Sequence, residues 1–300
     1  MSDQTNQKEA KEEEGGWLLP PRRKSAASPG LYLVATPIGN LGDITLRALD
    51  VLVSCDRVIC EDTRVSGKLL NHFGIKKPLL PYNDHNADRQ RGGILKALQE
   101  GKAIAFISDA GMPLVSDPGY KLVRECVKEG ILVTSLPGAN APLTALQLSG
   151  LPSESFCFIG FLPNKSVARK KYLAEWKNVP SSLIAFETAP RLHASLKDIR
   201  DVLGEREVAV ARELTKLHEE ITRGSVSELI ENYDGNTPKG EIVLVIGRGE
   251  AAVMSDDDVE KELKKALKTM STKEAAAHIA EISGRPRKEI YSLAIEHGKR

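Results

Sequence analysis

Three loops in the first half of the chain carry residues suited to hold a small ligand. Thr36–Thr45 reads TPIGNLGDIT, Ser108–Gly119 reads SDAGMPLVSDPG and Leu136–Leu146 reads LPGANAPLTAL. Each combines glycine and proline with aspartate or asparagine, and each follows a short apolar run. Glycine lets the backbone approach a ligand, and N–H groups left free there can hold a carboxylate or an adenine edge. One such loop is an ordinary tight turn. Three of them at the carboxyl ends of strands in one parallel sheet face a common edge, where ligands bind. The chain has neither G-x-x-x-x-G-K-S/T nor a G-x-G-x-x-G after its first strand. A P-loop and the usual dinucleotide fingerprint are therefore excluded.

Charged clusters lie near the same strand ends. Glu61-Asp62-Thr63-Arg64 closes an apolar run, although Asp62 or Thr63 equally suits a helix cap. Asn83–Asn86, which contains His85, reads as a polar site or as a turn. FETAPR (Phe186–Arg191) and ARELTK (Ala211–Lys216) place further arginine and glutamate together. Carboxylates beside a planar guanidinium suit a site that handles phosphate and ribose.

The elements that must position these loops alternate in type. LYLVAT from Leu31, the end of VLVSCDRVIC (Val51–Cys60), Ala103–Ile107 and Ile131–Thr134 read as buried strands. Helical periodicity runs over 86–100 and 118–129 between them. Apolar strands separated by helices predict a mostly parallel sheet covered on both faces. After the turn-rich link LPSES (Leu151–Ser155) the pattern restarts. FCFIGF, SSLIAFE, REVAVARE and GEIVLVIG give four more strands, with GNTPKG (Gly235–Gly240) a turn before the last. From Ser255 onward no strand is expected, and the chain reads as about three helices. Ser271–Glu274 is a capping-box pattern, and Gly284 with Pro286 marks a break. The expected boundaries are a disordered tail over 1–29, α/β domains over 30–150 and 151–252, and a basic helix-turn-helix-like module over 255–300.

In this order, TPIGNLGDIT, CEDTR, DAGMPLVSDPG, PGAN and GEIVLVI resemble the tetrapyrrole-methylase superfamily, over about residues 30–300. The resemblance implies a class III methyltransferase: two tandem α/β domains with S-adenosylmethionine in the cleft between them, and a homodimer. It implies as acceptor the ribose 2'-oxygen of a decoding-centre cytidine in 16S rRNA of the small ribosomal subunit. It assigns the cofactor site to Pro37, to Asp109, Ala110, Gly111, Met112, Pro113 and Val115, and to Gly138, Ala139, Asn140 and Ala141. From the second domain it adds Phe186, Ala211, Arg212 and Gly240. Small-molecule relatives usually carry aspartate where Met112 stands. The family more often has a Pro-His step where Ala189-Pro190 stands, so no histidine role carries over.

A sulfonium methyl donor asks the protein chiefly to align the attacking oxygen, and no metal is required. A ribose hydroxyl is a weak nucleophile, so a general base helps by roughly 10²–10⁴-fold. Asp62, His85 and Glu187 are the candidates, while Arg64 and Arg191 are candidates to hold phosphate. Lys165, Arg169, Lys170 and Lys171 crowd PNKSVARKKYLAEWKN, which reads as a solvated helix face or as an RNA-contacting lip.

Bulk numbers bound these readings. The chain has 300 residues, 41% of them hydrophobic, and 42 basic against 41 acidic groups for a net charge of +1. That balance excludes capture of nucleic acid by the whole surface and leaves local patches. Residues 261–300 hold such a patch, with ten Lys/Arg against five Glu. Four scattered cysteines without a C-x-x-C pair indicate neither zinc nor a disulfide framework, and suggest a reducing, cytoplasmic compartment. No run of 18 apolar residues predicts a membrane span. Two other readings stay open: a methylase of a small tetrapyrrole-like substrate, and a nonenzymatic nucleic-acid-binding protein. The basic segments count against the first and the three loops against the second.

Overall fold

A computed structural model describes residues 27–116, 118–249 and 256–298. Most of the expected N-terminal tail lies outside them. The first half runs β1 (Gly30–Val34), α1 (Leu46–Ser54), β2 (Arg57–Cys60), α2 (Thr63–His72), β3 (Leu79–Pro81), α3 (Ala87–Gln99), β4 (Ala103–Ile107), α4 (Tyr120–Lys128), β5 (Val133–Leu136) and α5 (Ala141–Ser149). The five strands pair in parallel in the order β3-β2-β4-β1-β5. All five β4 residues are buried, as a central strand covered on both faces requires. Ala103, Ala105 and Ile107 pack with Leu52 of α1 and Leu70 of α2. Ile104 and Phe106 face the other way, against Ile94 of α3 and Leu122 of α4.

The second half runs β6 (Phe156–Phe161), α6 (Ser166–Glu175), β7 (Ser182–Thr188), α7 (Leu192–Leu203), β8 (Glu207–Arg212), β9 (Glu220–Ser225), α8 (Val226–Asn232) and β10 (Glu241–Ile246). Its sheet order is β6-β7-β10-β8-β9. Only β6 and β7 are parallel; the other three pairings are antiparallel. One face packs on α6, α7 and α8. The other is covered by α5, whose Ala145 and Leu146 are buried with Ile184, Ala209, Val243 and Val245. The helix that ends the first half thus grips the second sheet. Its start is fixed by Asn140, whose side chain accepts the Leu143 N–H at 3.0 Å, with Pro142 in the first turn.

Helices α9 (Asp256–Ala266), α10 (Thr272–Ser283) and α11 (Arg287–Gly298) enclose a small core of their own around Leu263, Ile279 and Ile290. Both hydrogen bonds of the Ser271–Glu274 capping box form, and Gly284 ends α10 in the left-handed conformation. Among the described residues, no helix is long and apolar enough to cross a membrane.

Candidate active site

The connections leaving β1 and β4 run in opposite directions although the strands are neighbours, which opens a crevice at their carboxyl ends. The two loops are tied there. Thr36 N–H donates to Gly111 O at 2.9 Å, and Gly111 N–H donates back at 3.1 Å. Gly111 takes φ +82°, a conformation that L side chains rarely adopt, and an added Cβ would press on Ile38 at 3.2 Å. Across the crevice stand the carboxyl end of β7 and the amino end of β10. Between the two halves lies a cleft of about 580 Å³, within the size range of small-molecule sites.

The loop after β4 supplies Asp109, Ala110, Gly111, Met112 and Val115 to its wall, and the start of α5 supplies Asn140 and Ala141. Phe186, Glu187, Ala211 and Gly240 come from the second sheet. The lining is mainly apolar. Phe186 lies 5.0 Å, centroid to centroid, from both Phe158 and Phe161. Ile38, Phe161, Leu214, Ile242 and Val243 also line the wall; all five fall in segments that the sequence marks, but none stands out there as a site residue by itself. Lys239 and Glu241 also line the wall.

The other assigned residues sit elsewhere. Pro37 lines an adjoining cavity. Pro113, Gly138 and Ala139 stand outside the cleft lining, Ala139 packing into the core beneath α5. Arg212 turns its guanidinium to Glu220 at 2.9 Å and to the Lys239 carbonyl at 3.2 Å. His85 is exposed in the turn before α3, where its N–H donates to Asn83 Oδ1 at 3.2 Å.

The carboxylates differ in their freedom. Asp62 caps α2, accepting the Arg64 N–H at 2.8 Å, and the Arg64 guanidinium grips both its oxygens. The arginine and the cap hold the Asp62 carboxyl down at about 2, which makes it a poor proton acceptor. Glu187 is buried and fully engaged: Arg191, Ser195 Oγ and the Thr188 N–H (2.7 Å) all donate to it. Arg191 is thereby committed to Glu187 and Thr188. Asp109 accepts one hydrogen bond, from the Asp62 N–H at 3.2 Å. Burial raises its carboxyl above the usual range, and the nearby Asp62 charge adds to the shift.

The basic run on α6 divides. Lys165 and Lys171 are exposed. Lys170 pairs with Asp201 at 2.6 Å. Arg169, expected at an RNA-facing lip, is a correction: its side chain is 3% exposed and bonds Asp198 at 2.7 Å, so it faces the core.

The tetrapyrrole (corrin/porphyrin) methylase family matches residues 30–230, and the RsmI C-terminal HTH domain matches 253–298. The chain is 54% identical over 269 residues to ribosomal RNA small subunit methyltransferase I of Erythrobacter litoralis, covering 90% of this chain and 95% of that protein. It is 44% identical over 274 residues to the protein of the same name from Haemophilus influenzae, covering 89% and 96%. Among solved structures, the methyltransferase CobJ superposes with a TM-score of 0.56 at 17% identity, over 76% of this chain and 96% of that one. Diphthine synthase gives 0.56 at 12% identity, over 72% and 89%. Those likenesses show the fold. By the match over two thirds of its length and by its near full-length relatives, the chain belongs to the tetrapyrrole (corrin/porphyrin) methylase family.

Proposed function

We propose that this protein uses S-adenosylmethionine to methylate the ribose 2'-oxygen of a decoding-centre cytidine in 16S rRNA, acting as a cytoplasmic homodimer on the small ribosomal subunit. The observation that carries the reading is the 54% identity, over nearly both full lengths, with a ribosomal RNA small subunit methyltransferase I.

The residues of the cleft fit the cofactor's chemistry. Apolar and aromatic walls at Ile38, Phe186 and Leu214 suit a purine and the carbon chain beside the sulfonium. Asp109, Asn140 and the open backbone of Ala110–Met112 offer groups for hydroxyls, an amino group and a carboxylate. The cofactor supplies an activated methyl group, and the protein supplies alignment and exclusion of water. In this reading 30–150 and 151–252 are the two methylase domains, and 255–300 with Lys165 and Lys171 meets the RNA.

The test offers the protein labelled S-adenosylmethionine together with assembled small subunits, naked 16S rRNA or a porphyrin-type acceptor. Label on a cytidine 2'-oxygen of the rRNA is expected. Label on the porphyrin alone, or no transfer despite calorimetric binding of the cofactor, overturns the reading.

A further inference from the structure

A second cavity of about 460 Å³ adjoins the cleft, and Ile38, Asp109, Ala110 and Glu241 line both. Thr36–Gly39 forms one side of it. The opposite wall is one face of α2, where Val65, Lys68, Leu69 and His72 recur at helical spacing. Two apolar side chains are left open to solvent there, Leu41 at 39% and Val65 at 41% exposure. Lys68 and His72 are exposed and take part in no ion pair among the described residues. Lys216, at the same cavity, is already committed to Glu213 and Glu241. Apolar faces beside an uncommitted lysine and an exposed imidazole, with a carboxylate on the wall shared with the cofactor cleft, match the parts of a ribonucleotide: base, phosphate and ribose hydroxyl.

We infer that this cavity receives the acceptor ribonucleotide, its base against Leu41, Val65 and Leu69, its phosphate drawn by Lys68 and His72, and its 2'-hydroxyl proton taken by Asp109. The inference rests on the methyltransferase reading above. In the step, the hydroxyl oxygen bonds the methyl carbon as the methyl–sulfur bond breaks. The electron pair of that bond stays on sulfur, turning the sulfonium into a neutral thioether, and the hydroxyl proton passes to the Asp109 carboxylate and on to water. Asp109 suits the task better than its neighbours. One of its oxygens accepts only the Asp62 N–H and the other has no partner among the described residues, whereas Asp62 and Glu187 are saturated. Burial also makes it the stronger proton acceptor.

The probe is small ribosomal subunits from a bacterium lacking this 2'-O-methylation. The Lys68→Glu/His72→Glu protein changes only exposed positions and should fold normally. It should bind those subunits about tenfold or more weakly, with a flatter salt dependence, while calorimetry gives unchanged cofactor affinity. Measured with cofactor and subunits both saturating, so that any change in cofactor affinity drops out, Asp109→Asn should lose roughly 10²–10⁴-fold in single-turnover rate. Unchanged subunit affinity in the double variant overturns the cavity assignment. A full single-turnover rate in Asp109→Asn, or a loss confined to cofactor affinity, overturns the proton role. If wild-type protein labels no RNA at all, the acceptor reading itself has failed. If it labels RNA and the variants behave as wild type, only the present inference falls.

Discussion

Arg169 and Lys171 stand two positions apart in one basic run, yet burial gives them opposite tasks. The Arg169 guanidinium meets Asp198 and the carbonyls of Pro163 and Asn164, while Ser166 also donates to Asp198 at 2.8 Å. Spacing carried the signal: Arg169, Tyr172, Leu173 and Trp176 recur every three or four residues along the inward face of α6. Charge counting hid it, because the eye groups Arg169 with its exposed neighbours. Removing one partner of a buried pair costs up to about 3–5 kcal/mol, and here Lys170, 3.5 Å from Asp198, offsets part of that. Arg169→Met should therefore lower the urea midpoint sharply, whereas Lys171→Glu should shift stability by no more than about 0.5 kcal/mol. Equal midpoints for the two variants would refute this division. The same contrast governs the cleft, where the acids that stood out in the sequence proved saturated. The type of a residue is legible in sequence; the number of donors already aimed at it is not.

At the scale of elements, apolar strands and capped helices were readable, and polar edges were not. β4 and β10 are runs of buried aliphatics. β9, EITRGS, has no fully buried residue and pairs only with β8 at the sheet edge, so no hydrophobic run announced it. β3 is three residues ending in proline. β5 lies two residues beyond the expected ILVT, because Leu132 is exposed and Leu136 is the fully buried position. The antiparallel pairings of the second sheet depend on connections between strands, which periodicity does not report. One contact between elements lends itself to a measurement. A Cβ on Gly39 would meet Lys216 Cγ at 2.5 Å, Thr215 Oγ1 at 2.8 Å and Leu214 O at 3.0 Å. Nearby, Asn40 N–H donates to Thr215 Oγ1 at 3.0 Å, closing the loop after β1 onto the loop after β8. Glu213 and Thr215 hold left-handed backbone at φ 50° and 65°, so this clasp has little room to yield. Overpacking of this kind costs about 1–3 kcal/mol. Gly39→Ala should lower the melting temperature and weaken cofactor binding, since Ile38 and Leu214 beside it line the cleft. Wild-type values for both would mean that the two loops separate freely.

For the whole molecule, a net charge of +1 means that affinity for a polyanion must come from where cations gather. The C-terminal module is one such place, but many of its charges are internally matched. Lys264 pairs with Glu260, Lys265 with Glu262, and Arg285 with Asp256 and Glu289. Lys261, Lys268, Lys273, Arg287 and Lys288 appear in no ion pair among the described residues, which leaves five of the described cations to meet phosphate. The module packs around its own core, and the two sheets keep theirs without it. A chain ending at Gly249 should therefore melt close to the full protein and bind S-adenosylmethionine with the same affinity. Its affinity for small ribosomal subunits should fall. Each single-stranded phosphate contact contributes about 0.7 to the slope of log affinity against log salt. Loss of contacts from all five should then flatten that slope by about 3.5, read from a potassium chloride titration of subunit binding. An unchanged slope would assign the electrostatic grip to α2 and α6 instead, and would leave the module a role in shape recognition alone.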